Sequence, residues 1–220
     1  MSVIVPKDVV CPECQYPNQT EVWSSISVHE DPELRDILLG GELNMTQCES
    51  CKEFFYAESF LLYHDKTAEL FAFVYPFDHA SEKEKWIAKT KEDFSKLRFP
   101  ISEDENNEEA ITLDYAPLTF FGLDDLITTV EWDDEMLLQS EIAKTICDQN
   151  KKTYRFLSPF HARTYGLPIV LPFDETLPGS DRDKILLGLE WIKKENDQLE
   201  IYVSAYERIQ SQPELIIPLK

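Results

Sequence analysis

Four of the five cysteines fall into two pairs of one form, Cys11-Pro12-Glu13-Cys14 and Cys48-Glu49-Ser50-Cys51. A Cys-x-x-Cys turn is tight enough to aim two sulfurs at one point, and 33 residues separate the two turns. Brought together, they would present four thiolates in a tetrahedron, which suits Zn²⁺ with Zn–S bonds of about 2.3 Å. Four protein ligands leave no position for water. The expected site is therefore a structural zinc centre on Cys11, Cys14, Cys48 and Cys51, with no water to activate. Iron in the same four thiolates, or a dithiol redox pair, are the other chemistries open to these residues. A redox thiol is usually lowered in pKa by a following helix N-terminus, and Gln15-Tyr16-Pro17 after Cys14 cannot easily start a helix.

The separation exceeds the ~15–20 residues of the commonest zinc spacing, and so long a loop without structure would be unusual. The insert instead reads as strand, helix, strand. Glu21 to Val28 alternates, with Val22, Ile26 and Val28 on one face. Asp31 can cap a short helix, Pro32 suits its first position, Leu34, Ile37 and Leu38 share a face, and Gly40-Gly41 ends it. Glu42 to Gln47 returns as a strand. The expected product is a zinc ribbon with an inserted short helix.

Further along, Phe54 to Tyr63 and Glu69 to Tyr75 read as a hairpin around His64-Asp65-Lys66-Thr67. Ser81 and Glu84 form the pattern of a capping box, opening a helix with Trp86, Ile87, Thr90, Phe94 and Leu97 along one face. Residues 103 to 109 carry five carboxylates and no apolar residue, the pattern of a solvated linker. Beyond it, Leu123 to Val130 and Asp133 to Asp148 read as two helices, and Leu167 to Phe173 as a short strand. Ile185 to Lys193 and Gln198 to Ile209 read as a hairpin around Glu195-Asn196-Asp197. A helix from Asp181 to Lys194 competes with that hairpin, and Gly188 at its middle weighs against the helix. The expected fold class is α+β: a metal-ribbon domain over 1–100, an acidic linker over 101–112, and a C-terminal α+β region over 113–220.

Several short motifs recur in the order of a known family. Cys11-Pro12-x-Cys14, Trp23-Ser24, Asp31-Pro32-Glu33-Leu34 with Ile37-Leu38, Leu43-Asn44 before the second cysteine pair, Leu62-Tyr63-His64-Asp65 and Tyr75-Pro76 together resemble the CpXC domain of bacteria and archaea. The resemblance covers about residues 8 to 77, and the Leu123-Asp124-Asp125-Leu126-Ile127 helix is similar more weakly. It implies a metal-binding domain built on the four cysteines and no particular activity. Where zinc knuckles often carry Gly after each pair, this chain has Gln15 and Lys52.

Other residue types able to do chemistry form no recognisable set. There are four histidines: His29, His64, His79 and His161. His64-Asp65 is expected to be a turn in which Asp65 bonds local backbone. Cys147 lies on the apolar face of a helix, where a buried thiol is expected. Asp124, Asp125, Asp133, Asp134 and Glu135 sit near expected helix N-termini, which the dipole favours. No phosphate-cradling glycine loop, Gly-x-Ser-x-Gly elbow or His-Glu-x-x-His is present. An enzyme would need a site in the C-terminal region around His161, Arg163 and Tyr165.

Charge narrows the partner. Lys and Arg number 21 against 42 Asp and Glu, a net −21. Such a surface repels nucleic-acid phosphates and anionic lipid and attracts a basic partner. The basic residues of the 82–98 segment, from Lys83 to Arg98, are nearly offset by Glu82, Glu84, Glu92 and Asp93. An accessory zinc ribbon that handles nucleic acid is therefore disfavoured. The N-terminus has no basic region before its short apolar run, and Pro6 breaks that run, so no leader is expected. Paired cysteines of this kind fit a reducing, cytoplasmic setting. The expected function is non-enzymatic: a cytoplasmic zinc-binding protein that acts on a basic protein partner, as an acidic neutraliser of the immunity type.

Overall fold

The computed structural model describes residues 2–97, 99–100, 110–111, 113–212, 214 and 217 of the 220. The acidic run 103–109 lies outside the described residues. The chain divides into two compact units, Met1–Val130 and Glu131–Lys220.

In the first unit, β1 (Val3–Val10) pairs antiparallel with β2 (Pro17–Ser27). Helix α1 (Glu33–Leu39) follows. Leu34 and Leu38, one turn apart, bury the same face. The Asp31 side chain does not cap α1; its backbone carbonyl accepts the Leu34 N–H at 3.2 Å. Gly41 ends the helix at φ +69°, a conformation that favours glycine. β3 (Met45–Gln47) and β4 (Phe54–Tyr56) form a small antiparallel hairpin around the second cysteine turn. β5 (Leu61–Asp65) and β6 (Leu70–Tyr75) form a second hairpin. The apolar run expected as one strand, Phe54 to Tyr63, is thus two strands in two sheets. A 3₁₀ turn over Phe77–Glu82 leads into α2 (Lys83–Lys96). The expected capping box is absent, because Ser81 spends its hydroxyl on the Asp78 carbonyl inside that turn. β7 (Phe99–Pro100) pairs with β8 (Ala110–Ile111). Then come β9 (Leu118–Phe121) and the first two turns of α3 (Asp124–Gln149).

The main sheet runs β1-β2-β5-β6-β9, with parallel pairing at β2–β5 and β6–β9. β6 is buried at every residue, as a central strand covered on both faces must be. Its core joins Ile26, Leu38, Leu43, Leu61, Tyr63, Leu70, Val74 and Leu126. β9 belongs to this sheet, so residues beyond the acidic run complete the first unit.

The expected break between two helices at 130–133 does not occur; α3 runs unbroken for 26 residues. Asp133 is therefore mid-helix, not at an N-terminus. It is buried and accepts from the Arg163 guanidinium, with Nε at 2.9 Å from Oδ1 and Nη2 at 2.6 Å from Oδ2. Removing either partner would strand a buried charge, at a cost of about 3–5 kcal/mol.

The second unit continues with β10 (Tyr154–Phe156), α4 (Pro159–Tyr165), β11 (Val170–Pro172), α5 (Asp181–Glu195) and α6 (Glu200–Ser211). β10 and β11 pair antiparallel. The expected hairpin over 185–209 is instead two helices. Ile185, Leu189 and Ile192 recur at helical spacing on α5, and Ile201, Tyr202, Ala205 and Ile209 do so on α6. Ser180 and Asp183 form a reciprocal capping box on α5. Gly188 occupies the face of α5 that meets the Pro172 backbone, so close approach explains the mid-helix glycine. Tyr202 donates to the Val170 carbonyl at 2.6 Å, and burial pushes its phenol above the usual range. Gln139 accepts the Ile201 N–H at 2.9 Å.

Candidate metal centre

The two cysteine turns fold alike. In the first, Cys11 N–H donates to the Tyr16 carbonyl and Gln15 N–H to the Cys11 carbonyl, both at 3.0 Å. In the second, Cys48 N–H donates to the Glu53 carbonyl at 2.9 Å and Lys52 N–H to the Cys48 carbonyl at 3.1 Å. Gln15 and Lys52 both take positive φ, 60° and 66°, where glycine would be unstrained. Their side chains reinforce the turns. Gln15 donates to the Pro12 carbonyl at 3.1 Å and Lys52 to the Glu49 carbonyl at 2.7 Å.

The four sulfurs converge. Cys11 Sγ is 3.6 Å from Cys51 Sγ, and Cys14 Sγ is 3.6 Å from Cys48 Sγ. All four atoms lie within 4.8 Å of one another. A tetrahedron with Zn–S near 2.3 Å has edges of about 3.8 Å. The cluster therefore matches a four-thiolate metal site in size and donor type. Cys11 and Cys48 are buried, Cys51 is partly covered and Cys14 is exposed.

Electrostatics separate the two thiols of the second turn. Burial opposes ionisation of Cys48, but the N–H groups of Cys51 and Ser50 outweigh it and bring its pKa down to about 6. At Cys51 the Glu53 N–H favours the thiolate, yet burial and the three neighbouring sulfurs push it up to about 12. Four thiolates this close repel one another, and a dication between them removes that penalty.

One residue here was not singled out by sequence reasoning. Asn18, 5% exposed, sits at the start of β2 and joins the two turns. Its Nδ2 donates to the Tyr16 carbonyl at 2.8 Å and lies 3.8 Å from Cys48 Sγ; its Oδ1 accepts the Glu49 N–H at 2.8 Å. Asn18 precedes the strand expected from Glu21, so nothing in the sequence marked it. Asn18→Ala strands the Glu49 N–H and removes a donor from the sulfur. Metal affinity should fall about 10–100-fold in a chelator competition. Unchanged affinity would place Asn18 outside the site.

Asp65, His64, His161, Arg163 and Cys147 sit in structural contacts or in the core. Asp65 Oδ1 accepts the N–H groups of Thr67 and Ala68 at 2.9 and 3.0 Å, the expected local turn. His64 contacts the Tyr115 hydroxyl at 3.1 Å, and burial holds its pKa below the usual imidazole value. His161 Nδ1 meets Ser158 Oγ at 3.0 Å, where Ser158 caps α4, and its ring stacks on Tyr165. Arg163, expected beside them in a C-terminal site, is taken by Asp133. Cys147 is fully buried, and burial pushes its thiol up to about 11. None of the described helices is long and apolar enough to cross a membrane.

A family model described as CpXC protein matches residues 9–138, which include all four clustered cysteines. No curated protein and no solved structure matches the chain.

Proposed function

Because the chain belongs to the CpXC family, we propose that it is a structural zinc protein that acts by binding a basic protein partner. The convergence of four sulfurs within 4.8 Å carries the metal half of this reading. Cys11, Cys14, Cys48 and Cys51 would hold the ion and complete a zinc ribbon around the β3–β4 hairpin. Bound there, zinc supplies cross-linking and charge compensation, since four thiolates leave no position for a reacting water. Two ligands on each turn tie together segments 33 residues apart. Thiols that must stay reduced to ligate fit a cytoplasmic protein.

The net charge of −21 supports the partner half of the reading. Such a field speeds encounter with a basic surface and disfavours phosphate backbones. In its sharpest form the protein neutralises that partner, as an immunity protein does. The test is native purification without added metal, followed by elemental analysis and identification of whatever stays bound. One zinc per chain and a basic protein released by salt are expected. Iron, or no metal with reversible disulfides, would overturn the zinc reading. Bound nucleic acid or a metabolite in place of a protein would overturn the partner reading.

A further inference from the structure

The first unit contains a cavity of about 300 Å³ at the carboxyl ends of the parallel strands β6 and β9. That volume is at the lower end of ligand sites, about 300–1,000 Å³. Its floor is apolar, with Leu38, Leu43 and Val74 among the lining residues. Its aromatic lining includes Tyr56 and Phe77, which are 51% and 64% exposed despite their size. The charged groups that line it are of one sign, beside the neutral Asn44 and Ser59. Glu58, Asp124 and Asp125 line the cavity, and among the described residues no Lys, Arg or His does.

Among the described residues no ion pair engages Glu58, Asp124 or Asp125, although the N-terminus of α3 favours the two aspartates. Glu58 Oε2 accepts the Phe77 N–H at 3.2 Å. Lys7 reaches Glu58, but its ammonium bonds the backbone carbonyl. Asp124 and Asp125 occupy the first turn of α3, so an anion drawn to that helix end would meet two negative charges already there. The lining combines apolar and aromatic side chains with three acidic residues, and a ligand that suits both is a cation on an apolar stem.

We propose that this cavity binds an alkyl ammonium or alkyl guanidinium group, its stem against the apolar floor and its cationic head between Glu58, Asp124 and Asp125. The cavity carries the proposal and the carboxylates choose the sign of the ligand. It is independent of the zinc reading, and it rests on the basic-partner reading only if the cation is a side chain of that partner.

The test uses the full chain as purified, isotopically labelled, with n-butylguanidinium as probe. Its neutral isostere n-butylurea is the control. The amide signals of Tyr56, Gly122 and Asp124 should shift saturably with n-butylguanidinium, which should bind about tenfold more tightly than n-butylurea. Asp124→Asn with Asp125→Asn should weaken binding about tenfold. Glu58→Gln keeps an acceptor for the Phe77 N–H, so it tests the charge with the loop preserved, and it should weaken binding severalfold. Equal binding of the two probes, no binding of either, or binding unaffected by the carboxylate variants would each overturn the proposal. A third probe, arginine blocked at both ends, separates the sources. Binding with the same carboxylate dependence assigns the site to a protein side chain, and exclusion while n-butylguanidinium still binds assigns it to a free small molecule.

Discussion

Cys48→Ser should reduce the metal content from about one ion per chain to nearly none. Cys48 is fully buried, and the N–H groups of Ser50, Cys51 and Asn18 converge on its sulfur and favour its thiolate. A serine hydroxyl stays protonated where the thiol ionises, and a site with three thiolates loses both charge and closure. Structural zinc contributes about 10–16 kcal/mol of apparent binding energy in small zinc peptides. The first unit also has its own apolar core around β5, β6 and α1, so it should survive in a weakened form. A fall of about 10 °C or more in its melting temperature is expected, read by calorimetry beside elemental analysis. Cys147→Ala is the control: that thiol is buried apart from the cluster and its loss should leave the metal in place. One full equivalent of metal retained by Cys48→Ser would rule out the four-thiolate site.

Gly188→Ala should destabilise the second unit strongly, although alanine favours helices by about 1 kcal/mol over glycine. A Cβ at this position would overlap the Pro172 carbonyl oxygen and stand 2.7 Å from its carbonyl carbon. Those are backbone atoms of β11, itself buried, so neither side can yield cheaply. Overpacking of this kind costs about 1–3 kcal/mol and occasionally more. Because the overlap is with backbone, the upper end of that range applies, and set against the propensity gain a net loss of about 2 kcal/mol is expected. In a unit of this size that is roughly 8–16 °C of melting temperature. The sign is diagnostic, because a glycine in a strand of an open hairpin would tolerate alanine. An unchanged or raised melting temperature would mean that α5 does not pack on β11 through Gly188.

Some elements around the metal centre were legible because their signals are local, but β1 was not among them and β4 was merged into one longer strand. Two Cys-x-x-Cys turns, alternation in β2, and an i, i+4 apolar pair closed by Gly40-Gly41 in α1 each need only a short window. The errors came where a distant partner decides. Gly188 argued against a helix until the Pro172 backbone was seen against it. Asp133 looked like a helix start because its partner, Arg163, lies 30 residues on. The segment after Gln198 alternates at Leu199, Ile201 and Val203, but Ile201, Tyr202, Ala205 and Ile209 also fit one helical face, and α6 buries that set. Asn18 was unreadable for the same reason, since its role depends on a turn 30 residues away.

The central position of β6 has a consequence for the order in which the chain is made. Its six residues, Leu-Phe-Ala-Phe-Val-Tyr, carry no charge and no proline, and all are buried between β5 and β9. β9 is synthesised more than forty residues later, after α2 and the acidic run. Until Phe121 has left the ribosome, one edge of this strand is open, and such a segment readily pairs with copies of itself. A fragment ending near residue 100 would keep both cysteine turns and leave that edge bare for good.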